Sequence, residues 1–508
     1  MIEIDPTRWK QPPPFKHQLE GCRALVKHPA FYLADKPRTM KSRQVIDAAC
    51  ILFEAKLVDI VVIIAPVPGR GVWGDKQMGQ IKRWAWKPSR VHEFHEKRRD
   101  LWADEKPELL WVVTNYDFIR SVKRLEEFTK HLAHYDKIML VLDESSAVGN
   151  EKSKQAKAVR KIRDMAARCV MLNGTPGDPV KQWSQFNILN HVFDKKYKSL
   201  ITFKWRFTKY GPKELRQKFV PTKDGQKLVW QKAVSSELGW KNLDALSRIT
   251  APYCLRRSRR DCEGVRDIAI VPSFKEVRLS NYTWNNYKEL REEALLALST
   301  GEIYVSPNIG VRLMRLAQIC SGHLGGFEEG EKVRDLSSEK IDFTVYHLRE
   351  EISSQCVVVW TRWTRERERI SSLLRLGGFE VHQIYGQQPD GERRIAEKIF
   401  SEGSTLYPLQ RYAIVAQPQA GGDCLDMSAA RYVVRQSCDY NPRTFEQSNE
   451  RPCGPAQKLN FVPMTNMVAC GPAGQRTIEH TILAAQEEKR DIERMTCKEW
   501  RTELEAEC

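Results

Sequence analysis

The sequence predicts an α/β protein with two lobes of parallel sheet, separated by a mostly helical insertion. Apolar runs of strand length recur early in the chain, and helical patterns separate several of them. The strand signal fades between residues 196 and 335 and then returns. We therefore expect an N-terminal lobe at 1–195, a basic insertion or linker at 196–335, and a C-terminal lobe with a C-terminal helix at 336–508.

The predicted strands are continuous apolar runs. Such runs suit strands buried on both faces of a parallel sheet, because neither face then needs polar side chains. In the first lobe they are Phe31 to Ala34, Ile60 to Ala65, Leu109 to Val113, Ile138 to Leu142 and Val170 to Leu172. In the second lobe they are Cys356 to Trp360, Tyr412 to Ala416 and Tyr432 to Val434.

Composition restricts the class of protein. A chain of 508 residues with 41% hydrophobic residues predicts roughly two to four globular domains. No apolar stretch approaches a membrane span and the N-terminus lacks a signal-peptide core, so we expect a cytoplasmic protein. The 13 cysteines form no CxxC pair, which favours reduced thiols over disulfides or structural zinc.

The net charge of +17 favours a polyanionic partner, and nucleic acid fits better than membrane because no basic amphipathic anchor stands out. The charge is concentrated between Lys195 and Lys232, where aromatic residues are interleaved with 12 Lys/Arg and two acids. Phosphate contacts combined with flat apolar surfaces are typical of a groove that follows a nucleic-acid backbone. A solvated helical insertion with its own small core explains the same pattern equally well.

The segment KIMLVLDESS ends a predicted strand in two adjacent acids, Asp143 and Glu144. Ligands of open α/β sheets bind at the carboxyl ends of the strands. Hydrolysis of a nucleoside triphosphate needs one carboxylate for Mg²⁺ and a second group to orient the attacking water. An isolated acid pair is more simply a charged turn, so the pair gains meaning only from its context.

A strand-turn-helix upstream places Lys41 and Ser42 where a phosphate-binding loop has its lysine and its Mg²⁺-binding hydroxyl. The glycines of that motif are missing, since Arg38 and Met40 occupy positions that favour glycine. Taken alone, the segment fails the motif.

The interpretation of the acid pair and of the Lys41–Ser42 segment changes when they are considered together with the other motifs of the chain. Further short motifs follow one another along residues 14–495: PFKHQLEG, IAP with Trp73, VTNY, GTP, VWTR, QPQAGGDCLD, QSNER and TIE. This ordered set resembles the superfamily two helicases, especially the SWI/SNF-family DNA translocases of compact bacterial or phage type. The resemblance implies two RecA-like P-loop NTPase lobes, ATP and Mg²⁺ as cofactors, and duplex DNA that is contacted through its backbone with little sequence preference. It also implies the cytoplasm of a bacterium or of a phage-infected host.

The resemblance also implies roles for individual residues. Lys41, Glu144 and Arg451 would be catalytic, and Ser42 with Asp143 would hold Mg²⁺. The nucleotide would contact Gln18, Thr39, Met40, Lys41, Ser42, Asp143, Gly422 and Asp426; Pro66, Thr114, Asn115, Thr361 and Arg362 would face nucleic acid; and Gly174, Thr175 and Pro176 would couple hydrolysis to movement.

Three positions depart from the family pattern. Gly454 stands where the family has a second arginine, Cys424 replaces a glycine, and Met40 replaces the glycine before Lys41. Loss of an arginine finger can cost ~10³–10⁵ in rate. The leading hypothesis is therefore an ATP-dependent DNA translocase. The alternative is a catalytically weakened pseudo-ATPase that serves as a DNA-binding or partner-binding scaffold.

Overall fold

The computed structural model contains two compact units. The first comprises residues 1–217 and 228–266, and the second comprises 218–227 and 267–508. The structure describes residues 2, 4–75, 79–95, 108–174, 177–193, 197, 199–214, 217–222, 225–230, 234–299, 306–325, 332–352, 356–386, 388–402, 411–421, 425–438, 440–454 and 456–487. No described helix is long and apolar enough to cross a membrane.

The described residues form nineteen strands and eighteen α-helices. The strands are β1 Ala30–Leu33, β2 Ile60–Ala65, β3 Ser89–Glu93, β4 Leu109–Asn115, β5 Ile138–Leu142, β6 Arg168–Leu172, β7 Thr208–Glu214, β8 Gln217–Thr222, β9 Gly225–Trp230, β10 Val234–Trp240, β11 Cys254–Leu255, β12 Ala269–Arg278, β13 His323–Leu324, β14 Arg334–Asp335, β15 Cys356–Trp360, β16 Glu380–Ile384, β17 Tyr412–Ala416, β18 Tyr432–Arg435 and β19 Phe461–Cys470. The helices are α1 Lys16–Lys27, α2 Lys41–Glu54, α3 Val67–Gly74, α4 Gln80–Trp84, α5 Tyr116–Ile119, α6 Val122–Leu132, α7 Lys154–Met165, α8 Pro179–Asn190, α9 Leu200–Phe207, α10 Leu243–Thr250, α11 Asn281–Ser299, α12 Ser306–Cys320, α13 Glu339–Tyr346, α14 Thr364–Leu376, α15 Asp390–Glu402, α16 Pro418–Gly421, α17 Pro442–Glu450 and α18 Ile478–Glu487.

The first unit is built on a seven-stranded sheet of order β11-β1-β6-β5-β2-β4-β3, with every pair parallel. Alternate residues of its strands enter two separate apolar clusters: Val62 and Leu140 belong to one, whereas Val61 and Val141 belong to the other. Both faces of the sheet are therefore buried, which explains the continuous apolar runs in the sequence.

The second unit carries a six-stranded sheet of order β12-β19-β18-β15-β17-β16, again entirely parallel. Two α/β lobes with parallel sheets are thus present, and the predicted fold class is confirmed. Residues 196–335 contain α9–α12 but also strands that periodicity did not indicate. β7 pairs with β10 in an antiparallel ladder, and β12 forms the edge of the second sheet.

Candidate functional site

The parallel strands of the first sheet end at one edge, and several predicted motif residues of this unit lie at or just after these ends. The loop after β1 leads to Lys41, β5 leads to Asp143 and Glu144, and β6 leads to Gly174. β1, β6 and β5 are neighbours in the sheet, so their carboxyl ends present these residues together.

The loop between β1 and α2 takes the backbone conformation that glycine usually provides. Arg38 has φ 70° and Met40 has φ 55°, both in the left-handed region. A non-glycine residue there costs roughly 1–2 kcal/mol because Cβ approaches the carbonyl oxygen. Arg38 and Met40 therefore adopt, at this cost, the positive φ that glycine reaches most easily.

Helix α2 begins directly at Lys41, and its N-cap residue Met40 provides no side-chain hydrogen bond. The first N–H groups of α2 thus lack a side-chain acceptor, as at many anion sites. The Lys41 Nζ donates to the carbonyl oxygens of Asp35 at 2.7 Å and Lys36 at 3.1 Å. Burial lowers the pKa of Lys41, and the nearby carboxylates of Glu144, Asp35 and Asp143 oppose that shift.

Asp143 is held by two aromatic side chains from neighbouring elements. The indole Nε1 of Trp73 in α3 donates to Asp143 Oδ2 at 2.7 Å, and the Tyr116 hydroxyl donates to the Asp143 carbonyl oxygen at 2.8 Å. Burial, followed by the adjacent charge of Glu144, raises the pKa of Asp143 to about 6. Trp73 lies in the IAP motif region of the sequence, but only the structure shows that it reaches Asp143.

A buried ion pair holds the same loop from the other side. The Arg257 guanidinium binds Asp35 with two hydrogen bonds, Nε to Oδ1 at 3.0 Å and Nη2 to Oδ2 at 2.6 Å. Asp35 is fully buried, and Arg257 also donates to the His17 carbonyl oxygen at 2.6 Å. Arg257 is 222 positions from Asp35 and 240 positions from His17, so sequence reasoning could not find these contacts.

Gln18 and Thr39 lie in the interior beside this loop. Gln18 is buried, and its Oε1 accepts from the Phe15 backbone N–H at 2.9 Å, so it closes the first turn of α1. The buried Thr39 donates through Oγ1 to the Lys36 carbonyl oxygen at 2.9 Å, and its own carbonyl accepts from His17 Nε2 at 3.1 Å.

The other predicted residues of the first unit differ in burial and in their hydrogen bonds. A Cβ on Gly174 would lie 2.6 Å from Pro37 Cδ, so this glycine permits close contact with the β1–α2 loop. Thr114 is fully buried, whereas Asn115 caps α5 by accepting from the Phe118 N–H at 2.8 Å. Pro66 is the half-buried N-cap of α3, and Thr175 and Pro176 lie outside the described residues.

Most of the predicted residues of the second unit are held by contacts within that unit. Thr361 directly follows β15, and its side chain is fully buried. The Arg362 guanidinium lies 4.0 Å from the Tyr440 ring centroid. Arg451 is buried as well and donates to the Leu425 carbonyl oxygen at 3.3 Å. Asp426 accepts from the backbone N–H of Ser428 at 3.1 Å. Gly422 and Cys424 lie outside the described residues.

Gly454, which replaces the family's second arginine, is tightly enclosed. A Cβ at this position would lie 2.0 Å from Ser428 Oγ and 2.5 Å from Asp426 Oδ1. Real Cβ atoms do not approach so closely, so a larger residue here would require the Ser428 hydroxyl and the Asp426 carboxylate to move.

The residues in the first unit fit a magnesium nucleotide chemically. An uncapped helix N-terminus and an ammonium group suit phosphate oxygens, and the paired carboxylates Asp143 and Glu144 provide the hard oxygen ligands that Mg²⁺ prefers.

Family comparison decides the assignment. Residues 38–323 match the SNF2-related domain, and residues 339–453 match the helicase conserved C-terminal domain. The chain belongs to the SNF2-related family. Its two matched regions carry the helicase-like domains of that family.

Similar curated proteins come from eukaryotes and bacteria and are much longer. The human SWI/SNF-related matrix-associated actin-dependent regulator of chromatin subfamily A member 1 is 24% identical over 74% of this chain and 33% of its own length. The human DNA excision repair protein ERCC-6-like is 24% identical over 96% of this chain and 41% of its own length. The ATP-dependent DNA helicase DDM1 of Arabidopsis thaliana is 24% identical over 68% of this chain and 44% of its own length. The chain therefore spans less than half the length of these relatives.

Among solved structures, the Sulfolobus solfataricus SWI2/SNF2 ATPase core in complex with dsDNA is similar at 18% identity with a TM-score of 0.40. The match covers 99% of this chain and 96% of that chain. The Sulfolobus solfataricus SWI2/SNF2 ATPase core domain is similar at 17% identity with a TM-score of 0.38, over 98% of this chain and 95% of that chain.

Proposed function

We propose that this SNF2-related chain is a DNA-dependent ATPase that couples ATP hydrolysis to movement along double-stranded DNA. One observation carries the proposal: Lys41, Asp143 and Glu144 lie together at the end of one parallel sheet, beside the uncapped start of α2. A lysine, two carboxylates and free backbone N–H groups are the parts that phosphoryl transfer requires.

In this proposal each side chain has one task. The Lys41 ammonium exchanges its carbonyl acceptors, Asp35 and Lys36, for phosphate oxygens of ATP. Ser42 and Asp143 would hold Mg²⁺, which would supply positive charge to neutralise the phosphates. Glu144 orients the attacking water, and Trp73 keeps the Asp143 carboxylate in place.

Arg451 would provide positive charge to the reaction. Gln18 would contact the adenine, and Thr39, Met40, Gly422 and Asp426 would contact the nucleotide. Pro66, Thr114, Asn115, Thr361 and Arg362 would lie in motifs that face nucleic acid. Gly174 would transmit nucleotide state through its contact with Pro37.

The test is phosphate release from ATP by the purified chain, with and without double-stranded DNA. We expect DNA to stimulate turnover in the wild type and in Lys36→Ala, which alters an exposed lysine of the same loop. Lys41→Ala should abolish it. Turnover no greater than that of Lys41→Ala would favour the scaffold function, for which the enclosed Gly454 would be the structural reason.

A further inference from the structure

The backbone at Glu144 is strained. Glu144 has φ 50°, in the left-handed region, and it directly precedes a short 3₁₀ helix at Ser145–Val148. A residue with a side chain resists this conformation because its Cβ approaches the carbonyl oxygen. Such backbone persists only where the surrounding contacts hold it. The contacts that hold this turn therefore bear on the position of the Glu144 carboxylate.

A buried hydroxyl group lies behind the turn. Tyr32 of β1 is fully buried, as are Ser145 and Gln185. The Ser145 hydroxyl donates to the Tyr32 hydroxyl at 3.2 Å, and the Tyr32 hydroxyl donates to Gln185 Oε1 at 2.7 Å. Burial raises the pKa of Tyr32, so its hydroxyl stays protonated and remains a donor. One oxygen atom thus joins β1, the turn after β5, and α8.

Helix α8 holds the same turn at a second point. The buried Ser184 hydroxyl donates to the Val148 carbonyl oxygen at 2.6 Å, at the far end of the 3₁₀ helix. The two ends of this short helix are therefore tied to α8, directly at Val148 and through Tyr32 at Ser145. Glu144 lies next to the end that Tyr32 holds.

We infer that Tyr32 is a positioning residue, which acts through Ser145 to fix the Glu144 carboxylate for the attacking water. Tyr32 acts on the reaction only by holding the turn. Phosphoryl transfer depends mostly on positioning, so a turn that is held less firmly slows the reaction. This inference rests on the proposed ATPase activity and adds the group that positions Glu144.

We would measure phosphate release by the full chain over a range of ATP concentrations, with double-stranded DNA. The variants are Tyr32→Phe, which keeps the ring and removes the hydroxyl, Ser145→Ala, and the double variant. Tyr287→Phe is the matched control because Tyr287 is also fully buried and its hydroxyl accepts from the Ile478 N–H at 2.7 Å. Thermal unfolding shows which variants are folded.

We expect Tyr32→Phe to lower kcat roughly ten- to a hundredfold. The KM for ATP should stay unchanged, because neither Ser145 nor Gln185 belongs to the β1–α2 loop. Ser145→Ala should have the same effect, and the double variant should be no slower than either single variant, since both changes interrupt one path. Tyr287→Phe should keep the wild-type kcat.

A Tyr32→Phe variant with wild-type kcat, or a double variant in which the two losses multiply, would overturn the inference. If Tyr32→Phe does not fold, an unchanged kcat in Ser145→Ala overturns it in the same way. A wild type without turnover would reject the proposed function and this inference together. Wild-type turnover that Tyr32→Phe shares would reject this inference alone.

Discussion

At the scale of single residues, the Trp73–Asp143 hydrogen bond is the contact on which the proposed metal site most depends. A hydrogen bond to a charged group contributes roughly 1.5–3 kcal/mol. Trp73→Phe removes the donor and leaves the ring in its buried position. We expect the Mg²⁺ concentration for half-maximal ATP turnover to rise on the order of tenfold.

The measurement is a Mg²⁺ titration of phosphate release at fixed ATP. Trp84→Phe provides the control, because the Trp84 indole donates to Gln80 at 3.1 Å on the neighbouring helix α4. If the two variants behave alike, Trp73 has no particular role in holding Asp143.

Gly454 gives a second prediction at this scale. Restoring the family's arginine by Gly454→Arg should not raise turnover, because even Cβ would displace the Ser428 hydroxyl and the Asp426 carboxylate. We expect Gly454→Ala to destabilise the chain by about 1–3 kcal/mol, the usual cost of overpacking. Urea unfolding followed by circular dichroism measures this difference.

Gly391→Ala is the comparison for that experiment, since a Cβ on Gly391 meets no atom within 4 Å. That change should be neutral or slightly stabilising within α15. A fully stable, more active Gly454→Arg would show that the enclosure of Gly454 is not rigid.

At the scale of elements, the Asp35–Arg257 ion pair joins the β1–α2 loop to the segment after β11. Removing one partner of a buried pair leaves an uncompensated charge and costs about 3–5 kcal/mol. Arg257→Ala should therefore lower the free energy of unfolding by that amount, whereas Arg365→Ala should change it by less than about 1 kcal/mol. The Arg365–Asp335 pair is a suitable control because both of its side chains are 43% exposed.

Chemical unfolding of the two variants tests this difference. If Arg257→Ala lowers the free energy of unfolding only slightly, the β1–α2 loop must relax so that water reaches Asp35. The Arg257→Lys variant separates charge from geometry, because lysine keeps the charge but cannot form the two parallel hydrogen bonds.

The elements also show which parts of the fold sequence could predict. Strands β5, β15 and β17 have the predicted bounds, because both of their faces are buried and every position is apolar. Strand β12 was missed because it is an edge strand with mostly exposed side chains and a proline at position 272. Its apolar signal is correspondingly weak.

In the site, sequence placed Lys41, Asp143 and Glu144 at the end of the sheet because each follows a recognisable strand. Sequence could not find the contacts between distant segments, such as Trp73 with Asp143 and Arg257 with Asp35. These pairs are 70 and 222 positions apart, and their residues match no local pattern.

At the scale of the whole molecule, the charge of +17 predicts how DNA binding responds to salt. If phosphate contacts dominate, raising the salt from about 50 to about 200 mM should weaken duplex binding on the order of a hundredfold or more. Exchanging the duplex sequence should have little effect. Anisotropy titrations at four salt concentrations measure the slope, and a salt-insensitive, sequence-selective footprint would contradict the prediction.

The left-handed backbone at Arg38 and Met40 also bears on how relatives of this chain can be found. A search pattern that requires glycine at these positions selects the residue that reaches positive φ most easily, and it overlooks chains that reach the same angle with larger side chains. A search based on backbone torsion angles would include them. Loops of this shape are therefore expected among sequences that the glycine-based pattern rejects.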